Sequence, residues 1–151
     1  MTRKHGPALL LSLAVCTGAQ ASDGEFCRRI AAFADAAPAA KAHEITILTD
    51  WSEEPTIGCR RDESAAAIAI CAWLPPHLSI EFMQGNVSRV LECFSKRSRL
   101  AATEIFGGLA GKIRVSDPRY VTRKIWIELE FSTVGKDGAL SFLTIRSGYR
   151  D

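Results

Sequence analysis

Few residues in this chain have side chains that could do chemistry: five cysteines, three histidines and scattered carboxylates. Setting aside Cys16, which lies in an apolar N-terminal run, the cysteines are Cys27, Cys59, Cys71 and Cys93. None pairs with another as C-x-x-C, which argues against a thioredoxin-like redox role. Cys59, Cys71 and His77 are separated by eleven and five intervening residues, a spacing that matches no common zinc finger. His43-Glu44 lacks the second histidine of a metalloprotease helix. His77 follows Pro75-Pro76 in a turn. Each imidazole is expected to be exposed and ordinary rather than a catalytic base. No G-x-S-x-G elbow occurs. Glu128 and Glu130 share one strand face and could imitate a glycosidase pair, but a polar outer face beside Lys124 explains them more simply. Gly107 to Lys112 fails as a phosphate loop, because Phe106 stands where a glycine is needed and Ile113 where Ser or Thr should follow the lysine. Nothing calls for a cofactor or a metal.

What four cysteines mean depends on the compartment, and the N-terminus bears on that. Arg3 and Lys4 precede an apolar run from Ala8 to Ala14, and Ala19-Gln20-Ala21 supplies a small-x-small cleavage site. The reading is a signal peptide over residues 1–21, export to the periplasm, and Ser22 as the mature N-terminus. A lipoprotein anchored through Cys16 is the lesser alternative, since Val15 suits that site poorly. The run is too short to span a bilayer, and no later stretch is long and apolar enough. In an oxidising compartment the four remaining cysteines predict two disulfides, with three possible pairings. Cys59 with Cys93 would tie the entry of a central helical pair to its end. Cys27 would then meet Cys71.

The elements follow from periodicity. Phe26, Ile30, Phe33 and Ala37 recur at helical spacing, with Cys27 and Ala34 on their flank and Pro38 as the stop. His43 to Trp51 alternates, with Ile45, Ile47, Thr49 and Trp51 on one face. Ser52 to Pro55 reads as a turn, and Gly58 loosens the backbone before Cys59. Asp62 or Ser64 starts a helix that the two prolines end near Leu74. Gly85-Asn86 reads as punctuation before a second helix from Val87 to Lys96, whose inward set is Val87, Val90, Leu91 and Phe94. Lys112 to Val115, Tyr120 to Val134 and Ala139 to Ser147 read as strands, the last two joined by a turn over residues 135–138. The expected fold is α+β: an antiparallel sheet of about four strands, helices on one face, disulfide-stapled, in one domain over residues 22–151.

Charge separates along the chain. With Arg3 and Lys4 removed, the 19 basic residues fall to 17 against 17 acidic ones, so the mature chain is neutral and carries no signature of nucleic-acid binding. Residues 22–95 hold 6 basic and 11 acidic groups, and residues 96–151 hold 11 and 6. Pairing between the halves accounts for this without any partner. The sharper alternative is a basic, aromatic face that docks an acidic protein, glycan or lipid headgroup through Tyr120, Arg123 and Trp126, since Trp and Arg are favoured interface anchors.

Cys71, then Ser79-Ile80-Glu81-Phe82, Asn86, Arg89, Leu91 and Cys93 form a run that resembles small exported proteobacterial proteins of uncharacterised function. The resemblance covers the central third of the chain. It implies a periplasmic, disulfide-bonded domain and assigns no active site. Small periplasmic domains of this kind include immunity proteins that block a toxin. The functional expectation is therefore a non-catalytic protein that binds another protein or an envelope component, as an inhibitor or immunity protein. The alternative is a small hydrolase assembled from distant residues, with His43 or His77 as its base.

Overall fold

The structure is a computed structural model that describes residues 23–38, 41–50, 53–95, 99–102, 110–133 and 140–150. The signal-peptide and Cys16 readings, Trp51 and the turn over residues 135–138 lie outside the described residues, as do Lys96 and Arg97.

Helix α1 spans Asp23–Asp35 and buries Phe26, Ile30, Phe33 and Ala34, the stripe its 3.6-residue period produces. Strand β1, His43–Asp50, alternates strictly, so that His43, Ile45, Ile47 and Thr49 face the core. Strand β2, Thr56–Arg61, returns antiparallel along β1, with Cys59 opposite Ile47. Helix α2, Ala65–Trp73, is capped by the Ser64 hydroxyl, which accepts the Ala67 N–H at 3.2 Å. A 3-10 turn over Pro75–His77 follows, then helix α3 over Met83–Ser95. Among the described residues four strands and a short helix follow: β3 (Arg99–Ala102), β4 (Ala110–Ser116), α4 (Pro118–Val121), β5 (Ile125–Ser132) and β6 (Leu140–Tyr149).

The sheet is antiparallel throughout, in the order β2-β1-β6-β5-β4-β3. It is wider than the four strands expected. The two additions, β2 and β3, are its edges. An edge strand needs few inward side chains: β2 turns only Ile57 and Cys59 toward the core, too few to alternate visibly. The helices lie on one face and share a single core with Ile45, Ile47, Ile113, Val115, Ile125, Ile127, Leu129, Leu143 and Ile145.

The disulfides correct the expected pairing. Cys27 is bonded to Cys93, and Cys59 to Cys71. Helix α1 packs against both α2 and α3. Its Arg29, Ala32 and Phe33 flank meets α2, while Cys27, Ala31 and Asp35 lie on the flank that meets α3. Cys93 on α3 is thus on the other side of α1 from Cys71. The turn at Asp62 folds α2 back over β2 and brings Cys71 to Cys59. With no strand expected between the turn at Ser52 to Pro55 and the helix after Asp62, that proximity could not be seen.

Candidate functional site

The backbone after the 3-10 turn runs out of the core and back within a few residues. Leu78 is extended and packs on the core, and the chain re-enters at Met83, which is buried. Between them Ile80 is 40% exposed and Phe82 66%, the most exposed of the large apolar side chains among the described residues. Glu81 between them is also exposed.

This apolar tip is held from behind. Asn86 is 3% exposed, and its side chain grips one residue of the loop from both sides. Its Oδ1 accepts the Ser79 N–H at 2.8 Å, and its Nδ2 donates to the Ser79 carbonyl at 2.8 Å. The Ser79 hydroxyl accepts the Phe82 N–H at 3.0 Å. Arg89, one helical turn further on, donates from Nη1 to the His77 carbonyl at 2.7 Å. Its guanidinium lies 4.1 Å from the Phe26 ring centroid and pairs with Asp23 at 3.4 Å, which ties the loop to α1. Cys93, another turn along, is bonded to Cys27 of the same helix. Ser79, Asn86, Arg89 and Cys93 therefore act together to hold the loop that presents Ile80 and Phe82. Asn86 is thus a buried polar side chain committed to a loop whose apolar side chains stay exposed.

Replacing Asn86 with alanine is expected to leave the Ser79 N–H and carbonyl without their partners, at a cost of about 2 kcal/mol. Urea unfolding would register the loss as a lower midpoint at unchanged slope. Backbone order parameters at residues 80–82 would fall from about 0.85 toward 0.6 in the variant.

The three residues expected to form an interface do not form one patch. Tyr120 is 2% exposed, its ring edge-on to Phe94 at 6.2 Å, and burial raises its phenol pKa. It is a core residue, not a surface anchor. The short helix α4, started by the Asp117 cap and Pro118, rotates it inward. Arg123 is exposed but committed: its Nη2 donates to Asp35 at 2.6 Å and its Nε to the Arg119 carbonyl at 2.9 Å. Trp126 is half-buried on the open face of the sheet. Its indole N–H donates to the Tyr149 carbonyl at 3.1 Å, and its ring lies against Gly148, its direct partner across the strands. A Cβ at position 148 would sit 2.9 Å from the Trp126 ring. Gly148→Ala should therefore lever the indole off the sheet, costing about 1–2 kcal/mol, with a shift in tryptophan emission.

Among the described residues, Lys112, Arg114, Arg119, Arg123 and Arg146 of the C-terminal half are paired internally, Arg123 and Arg146 with carboxylates of the acidic half. On the open face, Glu128 meets Lys112 at 2.9 Å and Arg114 at 3.3 Å, while Arg146 bridges Glu44 and Glu130. Burial alone would raise the Glu128 pKa, but hydrogen bonds from Lys112 and Arg114 outweigh it and hold the carboxyl below its ordinary value. Glu44 and Glu130 hold the Arg146 guanidinium above its own. Three carboxylates and three cations neutralise one another. Glu128 and Glu130 thus carry the pairing that a polar outer face requires.

The histidines also differ from expectation. His77 is half-buried, stacked on Trp73 at 3.9 Å, and its Nδ1–H donates to the Trp73 carbonyl at 2.7 Å. His43 is 1% exposed, because the first inward position of β1 places it under α1. Its Nε2 lies 2.7 Å from the Ser147 hydroxyl, the spacing of a base and its nucleophile, but Ser147 is fully buried and no substrate can reach the pair. No family model, curated protein or solved structure matches this chain. Among the described residues no cluster of three or more His, Cys, Asp or Glu side chains could hold a metal ion, and no helix is long and apolar enough to cross a membrane. The tip is inconspicuous in the sequence because Asn86 beside Gly85 looks like turn punctuation. The available signal was that Ile80 and Phe82 fit neither flanking helical stripe.

Proposed function

We propose that this chain is an exported, non-catalytic binding protein that inserts the Ile80–Phe82 tip into an apolar cleft of another protein. An inhibitor or immunity protein is the concrete form. The observation that carries this reading is the contrast between the tip's exposure and the hydrogen bonds that immobilise its backbone. A loop ordered in advance loses little entropy on docking, and a protruding aromatic is the kind of anchor that dominates an interface. The two disulfides support the same use by stiffening the elements on either side of the loop. The apolar run and small-x-small site at the N-terminus favour a partner met outside the cytoplasm.

A photoreactive phenylalanine analogue at position 82, and separately at position 114 on the open sheet face, tests the reading in cells that export the protein. Adducts resolved by mass spectrometry should show one dominant protein crosslinked from position 82 and none from position 114. A partner crosslinked only from the sheet face would overturn the assignment of the tip.

A further inference from the structure

His43 lies where α1 ends against the sheet, between elements from three parts of the chain. Its ring stacks on Phe33 of α1 at 4.2 Å, with an interplanar angle of 12°. The Ser147 hydroxyl of β6 donates to the Ala34 carbonyl at 3.2 Å, so the 2.7 Å contact between His43 and Ser147 is a donation from Nε2–H to the serine oxygen. That sequence of bonds fixes the neutral tautomer and leaves Nδ1 as a bare lone pair. Nδ1 is fully buried and has no hydrogen-bond partner. Such an orphan is uncommon in a folded interior.

We propose that His43 is an acid-sensitive latch: the neutral imidazole clasps the C-terminal end of α1 to β1 and β6, and proton uptake at Nδ1 releases that end. Protonation would place a charge in a buried site where only the Phe33 carbonyl and Asp62 favour it and the loss of solvation outweighs both, which favours any opened form that lets water reach the ring. The surrounding charges do not rescue it. Asp62, at the end of β2, is the carboxylate that attracts the imidazolium, but it is already engaged by the Glu44 N–H at 2.6 Å and the Ser64 N–H at 2.7 Å. On α1, Asp35 is paired with Arg123. From β6, Arg146 extends from the opposite face of the sheet and is paired with Glu44 and Glu130. Phe33 and Ser147 carry no charge. Desolvation accordingly lowers the His43 pKa below its ordinary 6.5, against weaker opposition from Asp62 and the Phe33 carbonyl.

The sign follows from linkage. A histidine whose folded pKa is lowered contributes stability that is complete above about pH 6.5 and is lost as pH falls toward the folded value, because the opened form binds the extra proton. The test is hydrogen exchange of the oxidised protein between pH 7.5 and 5, corrected for intrinsic rates. It compares the Ala36 and Ala37 amides, which bond within the last turn of α1, with amides in the middle of α3. Protection at Ala36 and Ala37 should fall relative to α3 by up to about tenfold per pH unit below 6.5. The His43→Gln variant should lose that pH dependence. Should that variant fail to fold, the wild-type imidazole, followed by NMR, decides: its titration midpoint and that of the lost protection should coincide below 6.5. An imidazole titrating at its ordinary value with α1 protection unchanged would overturn the latch. So would an identical loss of protection in His43→Gln.

Discussion

Replacing Cys27 and Cys93 together with serine is expected to lower the unfolding free energy by about 4 kcal/mol, and replacing Cys59 with Cys71 by about 3 kcal/mol. The difference lies in the unfolded chain. The first bridge closes a loop of 66 residues and the second one of 12, and the entropy that a cross-link removes from the unfolded ensemble grows with the logarithm of the loop. The first loss has a structural side as well, since Cys93 and Arg89 both moor α3 to α1, and Arg89 in turn holds the loop at His77. Urea unfolding of the two double variants under oxidising conditions measures both figures. Peptide mapping of the Cys27→Ser, Cys93→Ser protein should recover Cys59 joined to Cys71. Free thiols at those positions, or a larger loss from the short bridge, would contradict the pairing.

Asp117 is the second position where one substitution should be costly. Its side chain is fully buried, yet it is an ion partner: Oδ2 accepts from Arg119 Nη2 at 2.6 Å, and Oδ1 accepts the Arg119 backbone N–H at 2.8 Å, which caps α4. The same pairing raises the Arg119 pKa. Breaking a buried pair typically costs about 3–5 kcal/mol. Arg119 is half-exposed and can recover water, so Asp117→Ala should fall at the lower end, near 3 kcal/mol. Asp117→Asn retains a cap acceptor and should lose about half as much. The readouts are the thermal midpoint and the near-ultraviolet signal of Tyr120. Arg119 and Arg123 flank that ring at 5.5 and 5.3 Å, and α4 holds it in the core. A neutral Asp117→Ala would mean that α4 does not depend on its cap.

The elements that bury a long stripe were readable from residue order alone. Phe26, Ile30 and Phe33, the alternation from Ile45 to Thr49, and Val87, Val90 and Phe94 all take the faces their spacing predicts. What escaped depended on contacts between distant segments. The β2 edge needs only Ile57 and Cys59 inside, so it left no periodic trace, and with it went the Cys59–Cys71 bridge. Tyr120 looked like part of a strand until the four-residue α4 turned it inward. His43 shares the inward phase of Ile45 and Ile47, which already implied burial, but a polar side chain at a strand start invited the opposite reading. Asn86 shows the limit most clearly. Its side chain acts seven residues back, on Ser79, and a local pattern assigns it to a turn instead.

Binding through a pre-ordered apolar tip makes one demand that can be measured directly: the affinity of the protein crosslinked at position 82 for Phe82→Ala and for Arg114→Ala, with both variants shown to be folded. An anchor residue is worth about 2 kcal/mol or more on truncation, so Phe82→Ala should weaken the complex by roughly 30-fold or more. Arg114→Ala, on the paired open face, should stay within about threefold of the parent, since paired charges away from an interface core contribute little. A Phe82→Ala protein that binds as tightly as the parent, or an Arg114→Ala protein that does not bind, would contradict the assignment of binding to the tip.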